Sequence, residues 1–400
     1  MSYLATRLSL IQPSPTLAMT AKASQMKAEG IDVIALSAGE PDFDTPDFIK
    51  DAAKAALDKG MTKYTPVDGV PALKKAIQAK LSKDNGLSYD LDQIMAGTGG
   101  KQVIFNALMA TLNAGDEVII PAPYWVSYPD IVNLFGGVPK IVKCLEESGF
   151  KLTPDLLEDA ITNNTKWLIL NSPSNPTGEL YSADELAALG RVLLKYPHVM
   201  VLCDDIYEYL VYDNKSFVTL ASIMPELKDR CLIVNGVSKS YSMTGWRLGY
   251  GAGPRPLIKA MTMLQSQSTS NPCSITQVAA AAAIDGNREF LAEWCNSFAK
   301  RRDLTAQLIS EIPGLSCRIP NGAFYLYINC EGVLGKQTPD GVKIDNDNQF
   351  AQYLLAEAHV AVVSGDAFGL SPYFRVSYAT SESTLTEACR RIRVAIEKLI

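Results

Sequence analysis

From about residue 90 to residue 250 the chain repeats one unit: a short apolar run, a loop of glycines or polar residues, then a helical run. The apolar runs fall at residues 93–97, 116–120, 138–142, 166–170, 198–203 and 231–234. Runs this short, bounded by turn residues, read as buried strands. Strands alternating with helices of this length predict an α/β fold with a largely parallel sheet. Open α/β sheets receive ligands outside the carboxyl ends of their strands. Five unusual loops stand at such ends, around Gly99, Trp125, Asn175, Asp204 and Lys239.

Each loop offers a different chemistry. Thr98-Gly99-Gly100-Lys101-Gln102 lies at a strand-to-helix junction, where free backbone N–H groups at the positive end of a helix suit an anion. It matches neither the Walker pattern nor G-x-G-x-x-G, so it does not predict a nucleotide site. Pro121-Ala122-Pro123-Tyr124-Trp125 places an aromatic ring past a strand end, suited either to a flat heterocycle or to ordinary core packing. Asn171-Ser172-Pro173-Ser174-Asn175-Pro176-Thr177-Gly178 is dense in prolines and amides, and a helix is expected from near Ser182. Asp204-Asp205-Ile206-Tyr207 closes the next strand.

The run Asn235-Gly236-Val237-Ser238-Lys239 continues to Arg247, eight positions beyond the lysine. A lysine among apolar residues sheds its proton readily and attacks a carbonyl. An arginine at a fixed offset forks onto a phosphate. Together they suit a cofactor bearing an aldehyde and a phosphate, pyridoxal 5'-phosphate (PLP). Such a cofactor performs the carbanion chemistry while the protein aims and tunes it. Lys239 is the candidate for the bond to the aldehyde. Asp204 is the acid that keeps a pyridine nitrogen protonated. Tyr207 and Asn175 are donors to the phenolic oxygen, Trp125 is the stacking ring, and Gly99, Gly100, Ser238 and Arg247 form the phosphate cradle. Arg375, between apolar neighbours, is the fork for a substrate carboxylate, with a structural ion pair as the competing reading.

The remaining chain frames this set. Pro13-Ser14-Pro15-Thr16 predicts extended or turn structure, followed by a helix over about 18–29. Residues 31–36 read as a strand leading to Ser37-Ala38-Gly39-Glu40-Pro41-Asp42, a low-bulk loop of the kind that touches ligands. Pro46 and Pro71 each open a helix. Beyond Tyr250 the pattern turns helical over 255–267, 274–285 and 288–311. Residues 323–328 alternate like a strand of a second, smaller sheet. A helix over 348–359, strands over 360–363 and 374–378, and a closing helix over 383–399 complete it, with 332–347 a polar surface excursion. The expected large domain covers residues 46–289, and the small domain combines 1–45 with 290–400.

Composition excludes other classes. At 47% apolar and 20% charged the chain holds ample core material. A formal charge of −6 supplies no basic face for nucleic acid. Eight cysteines without a C-x-x-C pair, and two histidines, indicate neither a zinc site nor a disulfide framework. Scattered cysteines fit a reducing, cytoplasmic setting. Met1-Ser2-Tyr3-Leu4-Ala5-Thr6-Arg7 lacks the apolar core of a signal peptide, and no apolar run reaches membrane-spanning length.

Ser238-Lys239-Ser240-Tyr241-Ser242-Met243-Thr244-Gly245-Trp246-Arg247-Leu248-Gly249-Tyr250 resembles the PLP-lysine motif of class I aminotransferases. The Asn171–Gly178 loop, Asp204-Asp205-Ile206-Tyr207-Glu208 and Phe374-Arg375-Val376-Ser377-Tyr378-Ala379 match in the same order. The resemblance runs from Tyr3 to the last helix and is closest to bacterial aspartate aminotransferases of the Iβ type. It implies the PLP-dependent transferase fold type I: a large, mixed, mostly parallel seven-stranded sheet with helices on both faces, plus a smaller α+β domain. It also implies a homodimer with each active site at the subunit interface. Lys239 would hold the cofactor and shuttle the proton at the substrate's Cα. Asp204, Tyr207, Asn175, Trp125, Gly99, Gly100, Ser238 and Arg247 would keep the cofactor roles given above, with Tyr64 reaching in from the partner subunit. Gly39 and Arg375 would receive the substrate carboxylate, with Trp125 and Asn175 beside it. Lys101 would bind the distal carboxylate of aspartate, and the segment around Thr16 would close over it.

Two positions depart from the wider pattern. Gly236 stands where some aminotransferases carry a phosphate-binding serine. Gln12 stands where relatives acting on prephenate tend to carry a basic residue. The expected activity is a ping-pong exchange of the amino group between L-aspartate and 2-oxoglutarate, with no metal. The alternatives are an aromatic or prephenate aminotransferase, or a PLP-dependent lyase on the same fold.

Overall fold

The apolar runs become strands whose successive side chains enter two different cores. Ile119, Leu168, Leu170, Val201, Cys203 and Ile233 face one side of the large sheet, and Val118, Ile120, Trp167, Ile169, Leu202 and Val234 face the other. Burial on both faces is why these runs read as continuously apolar rather than alternating. In this computed structural model, which describes residues 3–400, the sheet has seven strands. Met1 and Ser2, the first residues of the stretch judged free of a signal peptide, lie outside the described residues. In spatial order the strands are Ile94–Gly97, Gly249–Ala252, Cys231–Gly236, Met200–Asp204, Thr165–Asn171, Glu117–Ala122 and Val138–Lys143. All neighbours are parallel except Gly249–Ala252, which runs antiparallel to both of its neighbours.

That antiparallel strand lies where the sequence pattern turns helical. Its glycines carry no apolar period, so periodicity does not reveal it. They are there for packing. A Cβ on Gly249 would lie 2.2 Å from the backbone nitrogen of Gly100, and one on Gly251 would lie 2.8 Å from Val103. The strand is thus the floor on which the helix Gly100–Thr111 sits. The helices Asp47–Asp58, Pro71–Asn85, Ala183–Leu194 and Ser274–Asp285 cover one face, and Gly100–Thr111 and Arg255–Ser266 cover the other. Ser182 and Glu185 form a reciprocal cap at the start of Ala183–Leu194.

A second, four-stranded antiparallel sheet joins Val363–Ser364, Tyr373–Ser377, Tyr325–Asn329 and Ser316–Cys317. Phe298, Phe324, Phe350, Phe374, Leu385 and Ile392 form its core with the helices Phe290–Ser310 and Glu382–Glu397. The expected strand over 360–363 splits. Val360–Ala361 pairs in parallel with Ile34–Ala35, and Val363–Ser364 joins the four-stranded sheet. The strand expected over 31–36 shrinks to those two paired residues. The helix expected from residue 18 begins earlier, at Pro15, because proline fits the first helical position and Ser14 caps it. Thr16 therefore lies in a first helical turn rather than in a loop. Among the described residues no helix is long and apolar enough to cross a membrane, and no cluster of His, Cys, Asp or Glu is placed to hold a metal ion.

Candidate functional site

The strand-end loops converge on one cavity of about 410 Å³ between the large sheet and the small one. Thr16, Gly39, Gly100, Lys101, Trp125, Asn175, Asp204, Tyr207, Ser238, Lys239, Arg247 and Arg375 all line it. Gly99 adjoins it through Arg247, as described below. Tyr64 is the exception, standing 92% exposed and outside the cavity of its own chain.

Lys239 follows the end of Cys231–Gly236 and enters the cavity from the side of the seven-stranded sheet. Its ammonium donates to the carbonyl oxygen of Gly39 and lies 5.8 Å from the ring centre of Tyr207. Burial brings its pKa down to about 8, with the cations of Arg375 and Arg247 adding to the effect against the pull of Glu40 and Asp204. At pH 7 an amine of that pKa is neutral in about a tenth of molecules, against fewer than about one in a thousand for an ordinary lysine.

Asp204 ends its strand beside Asn171 and is buried. Tyr128 donates to its Oδ2 at 2.6 Å. Burial raises its pKa to about 6, opposed by the hydrogen bonds from Tyr128 and the Ile206 amide and by the charge of Lys239. It is therefore mostly a carboxylate at neutral pH, ready to favour a cation opposite it. Asn171 braces the same corner: its amide donates to the Asp204 carbonyl oxygen at 2.8 Å, and its Oδ1 accepts the Asn175 N–H at 2.8 Å. The turn after Asp204 is held from beneath by a buried ion pair between Lys80 and Glu208, with Asn235 donating to Glu208 at 2.8 Å.

Trp125 stands at the cavity wall with Tyr128 edge-on at 5.2 Å and the Lys101 ammonium 4.8 Å from its ring centre. Gly99 caps the helix Gly100–Thr111 at φ +86°, and a Cβ there would lie 2.5 Å from Arg247 Nη2. Only glycine lets the guanidinium lie against this helix start. Arg247 is itself left-handed at φ +54° and is held by its Nη1 donating to the Thr244 carbonyl at 2.7 Å. With Ser238 these groups make a cationic cradle with free backbone donors, which fits a phosphate monoester. Gly236 has no space for a serine side chain. A Cβ there would lie 2.8 Å from the Leu248 carbonyl oxygen, because the glycine strand passes so closely.

Arg375 is fully buried, yet no carboxylate pairs with it among the described residues. Its Nη1 donates to Asn175 Oδ1 at 2.7 Å and its Nη2 to the Ser37 carbonyl at 2.6 Å, while Nε has no partner. The guanidinium stacks on Tyr325 at 4.5 Å and Phe368 at 5.0 Å. This removes the structural-ion-pair reading: a buried cation without an anion, facing a cavity, awaits one from outside. Asn175 presents its carbonyl oxygen to Arg375, which leaves its amide hydrogens for a ligand. Lys101 lines the same cavity, its pKa lowered by burial and by Arg247.

Residues 39–45 are fastened to residues 239–246. Thr45 Oγ1 donates to the Ser242 carbonyl at 2.6 Å, Ser242 Oγ to the Phe43 carbonyl, Trp246 Nε1 to Thr45 Oγ1 at 3.2 Å and Thr244 Oγ1 to Glu40 at 2.8 Å. Sequence reasoning does not single out Tyr128, Tyr325 or Asn171 as site residues. For Tyr128 a local signal existed, since it opens the helix Ser127–Leu134 only three positions after Trp125, close enough for the two rings to meet edge-on.

Residues 31–392 match the class I and II aminotransferase family. The chain is 58% identical over 393 residues to the aspartate/prephenate aminotransferase of Cereibacter sphaeroides, covering 98% of each. It is 57% identical to the probable aspartate/prephenate aminotransferase of Rickettsia bellii over the full length of both. Among solved structures, the aspartate aminotransferase of Rhizobium meliloti superposes with a TM-score of 0.97 at 55% identity, covering 100% of both chains. That of Thermus thermophilus with maleate superposes at 0.92 and 39% identity, covering 99% of this chain and 100% of the other.

Proposed function

Because the chain belongs to the class I and II aminotransferases, we propose that it moves the amino group between L-aspartate and 2-oxoglutarate, using PLP in a ping-pong cycle. One observation carries the substrate class: Arg375 is a buried cation without a carboxylate, with Lys101 as a second cation lining the same cavity. Two cations facing one space suit a dicarboxylate. The names of the relatives support the same choice.

PLP, when bound, withdraws electrons from the substrate's Cα through its protonated ring. The chain's own residues do the rest. Gly99, Gly100, Ser238 and Arg247 hold the phosphate. Trp125 would stack on the ring, Asp204 would keep its nitrogen protonated, and Tyr207 and Asn175 would donate to its phenolic oxygen. Lys239 would hold the cofactor through its amine and would move the proton at the substrate's Cα. Arg375 and Gly39 orient the α-carboxylate, Lys101 takes the distal one, and Thr16 lies over the entrance. Tyr64, exposed on its own subunit, completes the partner's phosphate site in a homodimer. On this reading the large domain, about residues 46–289, carries the cofactor, and the small one, the first 45 residues with about 290–400, carries the substrate fork. The setting is the cytoplasm.

The test is spectroscopic. Purified protein with PLP is expected to give a visible cofactor band, and aspartate with 2-oxoglutarate to give oxaloacetate. Absence of either product or band sinks the proposal. A second acceptor, prephenate, is favoured by the names of the relatives from Cereibacter and Rickettsia. Comparing kcat/KM for prephenate and 2-oxoglutarate separates the two.

Tyr128→Phe probes Asp204. Removing the donor withdraws one of the groups that hold this carboxyl down, so its pKa rises further above the usual value. The carboxylate is the working form, and a higher pKa means that it is lost at a higher pH as acid is added. In the cofactor-free protein the titration midpoint of the Asp204 carboxyl, followed by carbon NMR, is expected to move up by about one pH unit, the size of one hydrogen bond to a charged group. An unmoved midpoint would remove Tyr128 from the control of Asp204.

A further inference from the structure

The hydroxyls of Tyr207 and Tyr325 lie 2.9 Å apart, both on buried side chains. They come from different halves of the molecule. Tyr207 belongs to the turn after Met200–Asp204, and Tyr325 opens the small-sheet strand Tyr325–Asn329. A phenol carries one hydrogen, so only one of the two can donate across this contact. The other must send its hydrogen elsewhere.

Among the described residues Tyr325 has no second protein acceptor for its hydrogen, although its side chain, like that of Tyr207, borders the cavity. Its hydroxyl is wedged against Gly39, where an added Cβ would lie 2.9 Å away, and Tyr207 is its one hydrogen-bond partner among the described residues. The surrounding charges select the same direction. The Arg375 guanidinium stacks 4.5 Å from the centre of the Tyr325 ring, which makes that phenol the readier donor. Tyr207 feels the Asp204 carboxylate against the pull of Arg375, with the Lys239 ammonium, 5.8 Å from its ring, acting on the side of Arg375. Asp204 opposes loss of its proton and makes it the better acceptor.

We propose that Tyr325 is a positioning residue: its hydroxyl donates to Tyr207 and so commits the Tyr207 hydrogen to the cavity, where the phenolic oxygen of the cofactor accepts it. The inference rests on the PLP reading above and adds to it. The small sheet, which carries Arg375, thereby fixes the polarity of a donor on the large one. A phenylalanine at 325 removes the hydroxyl but keeps the ring under Arg375, so the two roles of the side chain separate.

The experiment titrates the visible absorbance of the PLP-loaded protein against pH for wild type, Tyr325→Phe, Tyr207→Phe and the double variant. It also measures the affinity for succinate, an unreactive dicarboxylate. A weakened donor to the phenolic oxygen leaves its anion less stable, so the midpoint rises. Tyr325→Phe is expected to raise the chromophore's proton affinity about three- to tenfold, while the same change made in Tyr207→Phe alters it less than about twofold. Succinate affinity in Tyr325→Phe is expected to stay within about twofold, because the ring beneath Arg375 remains. A Tyr325→Phe midpoint equal to that of wild type overturns the proposal, as does a shift that persists undiminished without the Tyr207 hydroxyl. A wild-type protein that shows no cofactor band fails the PLP reading instead, which is a different result.

Discussion

Lys239→Ala is expected to abolish transamination while leaving the protein folded. The loss combines the covalent hold on the cofactor with the proton transfer at Cα. A positioned acid–base group alone is worth on the order of 10²–10⁴ in rate, so turnover falls by about 10⁴-fold or more. The fold is spared because the amine donates one hydrogen bond, to the Gly39 carbonyl, and its removal takes a charge out of a desolvated place. Thermal unfolding is expected to change by no more than about 1 kcal/mol. Full activity in this variant would refute the assignment, and a lost far-ultraviolet helix signal would mean that the experiment measured unfolding. The same lysine predicts a pH dependence in the cofactor-free protein. Its pKa lies near 8, and the neutral amine is the nucleophile. Capture of added PLP therefore accelerates as pH rises towards about 8 and levels off above it.

Arg375→Ala is expected to lower kcat/KM for aspartate by about 10²- to 10³-fold, the range found when one partner of a buried charge pair is removed. Most of that loss appears in KM, since the fork holds substrate and transition state alike, with a smaller fall in kcat from lost orientation. Arg375→Lys recovers little of it. A lysine ammonium gathers its donors on one nitrogen and cannot reproduce the planar fork whose separate nitrogens reach Asn175 and the Ser37 carbonyl. Steady-state kinetics on both variants decide the matter. An unchanged KM for aspartate and for 2-oxoglutarate would move the carboxylate site elsewhere, with Lys101 the next candidate.

The sequence makes the large sheet and most of its site legible for one reason. Strand ends bring Trp125, Asn175, Asp204 and Lys239 to one edge through connectivity alone, and each has a side chain whose chemistry stands out in a loop. Arg375 is legible because a cation between apolar neighbours is rare. Tyr128 and Tyr325 are not, because tyrosine within a helix or an alternating strand looks like core, and their value lies in a hydroxyl aimed at a residue 76 or 118 positions away. The strand Gly249–Ala252 is hidden because glycines chosen for a close helix contact have no period to read. The start of the first helix is hidden because proline at 15 signals a turn equally well, until the cap at Ser14 decides for a helix.

The fastening of residues 39–45 to residues 239–246 bears on how such a protein can be re-engineered. On the proposed reading the first stretch shapes the place where a substrate's carboxylate rests, and the second carries the reactive amine. Because Thr45, Ser242, Trp246 and Thr244 lock the two together, neither is a free-standing cassette. Transplanting the glycine loop of a relative with a different substrate range would also reset the setting of the amine. The two segments are a single exchangeable part made of two distant pieces of chain, and recombination libraries that cross over between residues 45 and 239 would separate what has to travel together.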